Sequence, residues 1–276
     1  MPAPEPVITV DLVAPERAAL VELLESLSDA EWQRPTVCAG WSVKDLVLHV
    51  LGDDLGLLSR GRDGFAYGGP EDASWESLVA FLNEWNERWV EGTRRLSSRV
   101  LLELLRGVAP EVEAYFASLD LHAIGGPVSW AGPEPAPVWL DVAREYTERW
   151  LHQQQIRDAV ARPGLDDRRF IGPVIETFVR ALPRAYREVG APPGTKVAVV
   201  VTGDGGGVWS VERGWTGWTL ASGTAPGATA TVRLDRETAW RRSTRGIDRD
   251  TAASRAQIDG DRDLGAVALD AVAMIA

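Results

Sequence analysis

The sequence predicts a mainly α-helical N-terminal bundle followed by a smaller α+β domain. Up to about residue 189, apolar residues recur at i, i+3 and i+4, which is the spacing of amphipathic helices. From Gly194 the chain changes to β-branched runs and alternating patterns, as in residues 196–201, which are typical of strands. We therefore expect a helical domain over residues 1–165 and a smaller α+β domain over residues 166–276.

The helical part contains local signals for helix starts. Pro15 suits the first turn of a helix over residues 14–27. Ser42 can cap a second helix over residues 43–58, and Asp45 can return the bond as a capping box. Further helical segments are predicted over residues 74–105, 112–119, 138–160 and 171–189, with a loop rich in Gly and Pro over residues 125–137.

The C-terminal part alternates strands with short helices. Strands are predicted over residues 196–201, 208–212, 218–221, 228–234 and 256–258, and helices over residues 236–243 and 264–275. The Gly-Asp-Gly-Gly-Gly segment at residues 203–207 joins two strands and lacks the Lys-Ser/Thr pair and helix of a phosphate-binding loop. We therefore interpret it as a hairpin turn.

Composition limits the classes of partner. The formal net charge of -11 disfavours binding to nucleic acid or to an anionic membrane surface. The chain has no basic, apolar leader and no uninterrupted apolar run of roughly 18 residues, so we expect a soluble, cytoplasmic protein, monomeric or a small homo-oligomer. The one cysteine, Cys38, excludes an internal disulfide and a cysteine-rich zinc site, so metal chemistry must rest on His and carboxylates.

The second predicted helix carries a histidine with acidic neighbours. His49 shares its helix face with Asp45 and Asp53, each one turn away. Either carboxylate can accept the second ring N–H of a metal-binding histidine, and we prefer Asp53 for this role. Gly52 and Gly56 lie on the same stripe and are expected to leave space beside His49.

A later predicted helix offers a second pair of candidate ligands. Glu148 and His152 are four residues apart and therefore share one helix face. With His49 they would form a set of two His and one carboxylate, which leaves the fourth position of zinc open, as in catalytic sites. Glu145 is a rival ligand one turn earlier. Such pairs are also common on solvated helix faces, so spacing alone leaves both interpretations open.

Three segments carry a resemblance to a known family. Residues 38–50, CAGWSVKDLVLHV, resemble the helix-two motif of the mycothiol-dependent maleylpyruvate isomerases, which belong to the DinB-like four-helix bundle proteins. Residues 27–32, LSDAEW, and residues 148–158, ERWLHQQQIRD, are also similar to segments of that family. The resemblance implies that His49, Glu148 and His152 bind a divalent metal, most simply Zn²⁺. Many relatives carry Asp where this chain has Gln155.

The resemblance extends more weakly into the second domain. Residues 238–246, TAWRRSTRG, are similar to a family segment whose arginine is associated with the active site, and Arg245 is the best positional match. This implies a catalytic role for Arg245, which can hold a substrate carboxylate through two hydrogen bonds. The alternative is a solvated arginine at the basic end of a helix. The resemblance also implies that the second domain helps to close the active site.

The family implies mycothiol, a low-molecular-weight thiol, as cosubstrate. A metal-bound thiolate attacking an electrophilic small molecule gives cis-trans isomerisation if the thiol is later expelled, or thiol S-transfer if another group leaves. The sequence does not choose between them. Two other classes stay open: a zinc-dependent hydrolase with Asp53 or Glu145 as general base, and a non-catalytic, metal-stabilised ligand-binding protein.

Overall fold

The computed structural model describes residues 2–65, 67–72 and 74–273, without the side chain of Trp75. The chain forms two compact units. The first, here called the helical unit, comprises Val10–Leu119 and Glu148–Leu165. The second, here called the sheet unit, comprises Met1–Thr9, Asp120–Thr147 and Asp166–Ala276. Two stretches of the N-terminal part, residues 1–9 and 120–147, thus group with the sheet unit.

The helical unit is built from long helices around a leucine-rich core. Its helices are α1 (Val10–Glu25), α2 (Asp29–Trp32), α3 (Val43–Leu57), α4 (Trp75–Thr93), α5 (Ser98–Ser118) and the second part of α6 (Val138–Ala159). Helix α1 packs on α5, and α3 packs on both α4 and α5. Fully buried core side chains include Leu20, Leu24, Leu46, Leu48, Leu51, Leu101, Leu105 and Trp150. Burial of these apolar groups supplies the main driving force for the bundle.

Helix α3 begins as the sequence predicts. The Ser42 side chain accepts a hydrogen bond from the Asp45 backbone N–H, and the Asp45 carboxylate accepts one from the Ser42 N–H at 3.0 Å. This capping box fixes the first turn of the helix and hence the direction of the following residues. After Leu57 the helix continues as a π-helical turn, Leu58–Arg62.

Several predicted helix boundaries in the rest of the chain were wrong. The segment 74–105 is two helices, because Ser97 caps a new helix. That helix, α5, continues through Pro110 to Ser118 and includes the piece predicted separately. Helix α1 begins at Val10, one turn earlier than predicted. The predicted helix over residues 171–189 is α7 (Arg168–Phe178) and the short α8 (Leu182–Ala185), joined by a 3₁₀ turn.

The sheet unit contains a five-stranded sheet in the order β5-β4-β3-β6-β7. Its strands are β3 (Lys196–Thr202), β4 (Gly207–Arg213), β5 (Trp218–Ser222), β6 (Ala230–Asp235) and β7 (Gln257–Gly260). Strands β3 and β6 are parallel, and the other neighbours are antiparallel. The glycine-rich segment forms the predicted hairpin turn between β3 and β4, with Val201 opposite Gly207.

Short elements complete the sheet unit. Strands β1 (Ile124–Pro127) and β2 (Pro135–Pro137) form a small hairpin where a loop was predicted. Helix α9 (Arg236–Ser243) has the predicted bounds, whereas α10 (Arg249–Arg255) was not predicted. The predicted terminal helix is the shorter α11 (Arg262–Ala266) and a 3₁₀ turn, and its last two positions, 274–275, lie outside the described residues.

The predicted fold class, a mainly helical N-terminal part followed by a smaller α+β part, is confirmed. Among the residues that the structure describes, no helix combines the length and the apolar character needed to cross a bilayer.

Candidate metal centre

Two histidines from different helices of the helical unit face each other. His49 lies on α3 and His152 on α6, and their Nε2 atoms are 3.1 Å apart. The rings meet nearly edge to face, with centroids 4.7 Å apart and an interplanar angle of 85°. Residues 103 positions apart in the sequence thus direct the same ring nitrogen toward one point.

Both imidazoles are held in the neutral form. Burial lowers the pKa of His49 to about 4. Burial, reinforced by the neighbouring His49, lowers the pKa of His152 to about 4 as well. A neutral imidazole has a nitrogen lone pair free to bind a metal, so both rings are ready to act as ligands at neutral pH.

The Gln155 side chain fixes the tautomer of His152. Its Oε1 atom lies 2.8 Å from His152 Nδ1. Because a carboxamide oxygen can only accept, the proton lies on Nδ1, and the lone pair lies on the Nε2 atom that faces His49. A carbonyl oxygen on the outer nitrogen is a common arrangement behind metal-binding histidines.

A carboxylate completes the cluster. Asp53 Oδ2 lies 3.2 Å from His49 Nε2, and the ligand atoms of His49, Asp53 and His152 all lie within 4.8 Å of one another. The preference for Asp53 as partner of the other ring nitrogen of His49 was therefore wrong, since Asp53 contacts the nitrogen that faces His152. Asp45, the alternative partner, instead caps α3 and accepts a bond from Arg94 Nε at 2.9 Å.

Glu148, the carboxylate predicted to be a ligand, lies slightly farther from the histidines than Asp53. Glu148 Oε2 lies 3.9 Å from His152 Nε2, one turn earlier on α6. Its assignment as a ligand stays a prediction. Its rival, Glu145, forms an ion pair with Arg144 and belongs to the stretch of α6 that groups with the sheet unit.

The donor set fits a single divalent ion. Two ligands of a tetrahedral zinc ion, each at about 2.0–2.1 Å, are about 3.3 Å apart. The 3.1 Å between the two Nε2 atoms is close to this separation. Asp53 and Glu148 each place a carboxylate oxygen near one of these nitrogens, at 3.2 Å from His49 and 3.9 Å from His152, so either could supply the third ligand. Imidazole nitrogens with a carboxylate oxygen are ligands that zinc accepts.

An aromatic ring lies beside His49, and a thiol lies beside Gln155. The Trp41 ring lies 5.2 Å from that of His49, and its Nε1 donates to Glu87 at 2.8 Å. The Cys38 Sγ lies 3.5 Å from Gln155 Oε1. Burial raises the pKa of the Cys38 thiol, so this residue is poorly suited to act as a nucleophile.

The two glycines near His49 do not leave open space, contrary to expectation. A Cβ at Gly52 would lie 2.5 Å from Trp89 Nε1, because the indole occupies that position and donates to Leu48 O. A Cβ at Gly56 would lie 3.0 Å from the guanidinium of Arg60. Gly52 therefore allows a tryptophan of α4 to pack against α3 behind the site.

A buried charge network beside the site was missed by the sequence reasoning. Asp54, next to Asp53, is fully buried and accepts bonds from Arg149 Nη2 at 3.0 Å and Arg17 Nη2 at 2.6 Å. Arg149 follows Glu148 on α6. Charged residues on the apolar face of a helix could have indicated such a network. The sequence could not show which residues pair, because the partners lie far apart along the chain.

The remaining candidates lie in the sheet unit. Arg245 is exposed, follows α9 and has a φ of 59°, in the left-handed region. Its N–H donates to Arg242 O at 3.2 Å, which closes the end of the helix. Its predicted catalytic role stays a prediction. The third histidine of the chain, His122, is exposed and lies in a turn.

Comparison with known proteins identifies the family. The profile of the family described as Mycothiol maleylpyruvate isomerase N-terminal domain matches residues 13–157, just over half of the chain. The chain belongs to this family, which confirms the resemblance seen in the three segments.

Solved structures agree in fold. A crystal structure of mycothiol-dependent maleylpyruvate isomerase is 12% identical, with a TM-score of 0.51 over 87% of this chain and 89% of that one. A histidine-to-alanine mutant of such an isomerase is 11% identical, with a TM-score of 0.51 over 91% of both chains. Comparison with curated proteins gave no match.

Proposed function

We propose that this protein is a metal-dependent enzyme that uses mycothiol as cosubstrate and acts on an electrophilic small molecule. The observation that carries the proposal is the buried, neutral pair of His49 and His152, whose Nε2 atoms lie 3.1 Å apart on the two helices with family motifs. Membership of the family supports the thiol, since the two similar structures are titled mycothiol-dependent maleylpyruvate isomerase.

His49, Glu148 and His152 are the proposed ligands of a divalent metal, most simply Zn²⁺. The side chain of Glu148 is 26% exposed and that of Asp53 is 40% exposed. Glu148, the more buried of the two, suits a ligand. Its Oε2 atom lies 3.9 Å from His152 Nε2, and rotation about its side-chain bonds can bring a carboxylate oxygen to a metal ion held by the two histidines. When bound, a divalent metal supplies the positive charge that keeps a thiol ionised near neutral pH.

Asp53 has a different proposed role. Its Oδ2 atom lies beside His49 Nε2, and its greater exposure allows exchange of protons with water. We assign it as the acceptor of the thiol proton, which it then passes to solvent. His152, held by Gln155, and His49, beside Trp41, keep fixed orientations during this transfer.

The thiolate then adds to the electrophile. Addition to an activated double bond, rotation about the resulting single bond and expulsion of the same thiolate give cis-trans isomerisation. Displacement of a leaving group gives a thioether by S-transfer. Arg245 is the proposed partner of a substrate carboxylate, which would favour acidic substrates.

The test is a turnover assay with mycothiol and two probes, maleylpyruvate and an electrophile with a halide leaving group. We expect thiol-dependent turnover of at least one probe by the zinc-loaded protein, and none by the His49→Ala variant. The His122→Ala variant, which removes the exposed loop histidine, should match the wild type. Isomerised maleylpyruvate indicates the isomerase, and a thioether indicates the transferase.

Two outcomes would overturn the proposal. Hydrolytic turnover without any thiol would indicate a zinc hydrolase. A protein whose melting temperature falls on chelation, but which never turns over thiol and electrophile, would be a non-catalytic binding protein.

A further inference from the structure

The two helices that carry the candidate ligands are joined by a buried ion pair. Asp54 on α3 follows Asp53 directly, and Arg149 on α6 lies three residues before His152. Arg149 Nη2 donates to Asp54 Oδ1 at 3.0 Å, and the two side chains are 4% and 0% exposed. A second connection between α3 and α6 therefore lies close to the contact between the two histidines.

Stability alone is a weak reason for this arrangement. A buried ion pair often contributes no more to folding than apolar side chains of similar volume, because both charges lose their hydration. The network is also incompletely satisfied, since Arg17 Nε and Nη1 have no hydrogen-bond partner in the described part of the chain. An apolar contact would serve the core at least as well, but it would fix the relative position of the two helices less strictly.

The charge of Arg149 works against a cation at the site. Arg149 lies one helical turn before His152 on α6, so its positive charge opposes a further positive charge at that imidazole. Acting through its charge alone, Arg149 would weaken the binding of a divalent metal. Acting through position, it would strengthen binding by holding His152 opposite His49. The two effects have opposite signs, so they can be separated by experiment.

We propose that Arg149 and Asp54 are positioning residues that hold α3 and α6 at the spacing needed for both histidines to bind one metal ion. The inference rests on the proposed function, since it assumes that the pair of histidines is a metal site. Neither residue is a ligand, and their effect passes through the helix backbones to His49 and His152.

The chain offers a matched control for the test. Arg17 donates to the other oxygen of Asp54 at 2.6 Å and is as buried as Arg149, but its helix, α1, carries no ligand. Arg149→Met removes the connection between α3 and α6. Arg17→Met removes a similar ion pair to the same carboxylate and leaves that connection in place.

The measurements are the affinity for Zn²⁺, by competition with a chelator, and the visible absorption of the Co²⁺-loaded protein. For Arg149→Met we expect an affinity lower by roughly 10–100-fold and an altered Co²⁺ spectrum. For Arg17→Met we expect a similar fall in melting temperature, with an affinity within about threefold of the wild type. Should Arg149→Met fail to fold, Arg149→Lys and Arg17→Lys keep the charge, lose the planar fork and give the same comparison.

Equal losses of affinity in both variants would overturn the inference, because they would indicate general destabilisation. Tighter binding in Arg149→Met would also overturn it, since the charge would then dominate. Both outcomes leave the proposed function in place. Failure of the wild-type chain to bind Zn²⁺ at all would instead overturn the proposed metal centre, and the positioning role with it.

Discussion

His152 Nδ1 and Gln155 Oε1 are 2.8 Å apart on successive turns of α6, and this hydrogen bond sets which nitrogen of His152 can bind a metal. Because the proton is held on Nδ1, the lone pair of Nε2 points toward His49. The same carboxamide oxygen lies near Cys38 Sγ, at 3.5 Å. One side chain thus connects the loop before α3 with the candidate metal centre.

Gln155→Leu is expected to lower the affinity for Zn²⁺ by roughly 10–100-fold, because His152 loses the partner that fixes its ring. Gln155→Glu keeps an acceptor and makes it anionic, so this variant should bind Zn²⁺ at least as tightly as the wild type. The measurement is a chelator competition on both proteins. Equal affinities in the two variants would contradict a role for this hydrogen bond.

Substitutions of the two carboxylates, Glu148 and Asp53, should have different effects on metal binding and on turnover. Glu148→Gln is expected to lower Zn²⁺ affinity by at least tenfold, because it removes a ligand. Loss of a residue that only hydrogen-bonds a ligand already costs roughly 10–100-fold. Asp53→Asn should keep stoichiometric zinc and lose thiol-dependent turnover, because it removes the proton acceptor. Metal analysis and turnover of each variant decide the assignment. Loss of zinc in Asp53→Asn, together with its retention in Glu148→Gln, would make Asp53 the ligand.

Gly52→Ala is expected to destabilise the protein by about 1–3 kcal/mol, because the added Cβ would overlap the Trp89 indole and disturb its bond to Leu48 O. Gly107, within α5, has no atom within 4 Å of an added Cβ. Gly107→Ala should therefore stabilise the protein by about 0.5–1 kcal/mol through helix propensity. Urea unfolding measures the free energy of unfolding of both variants. Equal destabilisation by Gly52→Ala and Gly107→Ala would contradict the packing described.

Arg245 stands in a left-handed conformation, with φ of 59°, which costs a non-glycine residue about 1–2 kcal/mol. Arg245→Gly should therefore raise the melting temperature and, if Arg245 holds the substrate, lower kcat/KM for an acidic electrophile. Ala161 has φ of 54°, so Ala161→Gly is a control with the same backbone relief. Unchanged kcat/KM in Arg245→Gly would leave Arg245 as a structural residue at the end of a helix.

Helix starts were predicted best where a local capping interaction determines them. The capping box of Ser42 and Asp45 determines the start of α3, and the start predicted for α9 is the residue after its N-cap, Asp235. Boundaries set by tertiary packing were missed: α5 continues through Pro110, although proline is a poor residue inside a helix.

The candidate site shows the same division. Helical spacing predicts that Glu148 and His152 share a face, but it cannot say whether Asp53 contacts the inner or the outer nitrogen of His49. That choice depends on how α3 is rotated against α6, which no single helix determines. The partners of Asp54, on α1 and α6, lie 37 and 95 residues away and were not predictable from periodicity.

The central claim is that His49 and His152 hold one divalent metal ion. The most direct measurement is the zinc content of the purified protein and of the single His→Ala variants at positions 49, 152 and 122, by elemental analysis. The account predicts about one zinc per chain in the wild type and in His122→Ala, and almost none in His49→Ala or His152→Ala. Stoichiometric zinc in His49→Ala would contradict it.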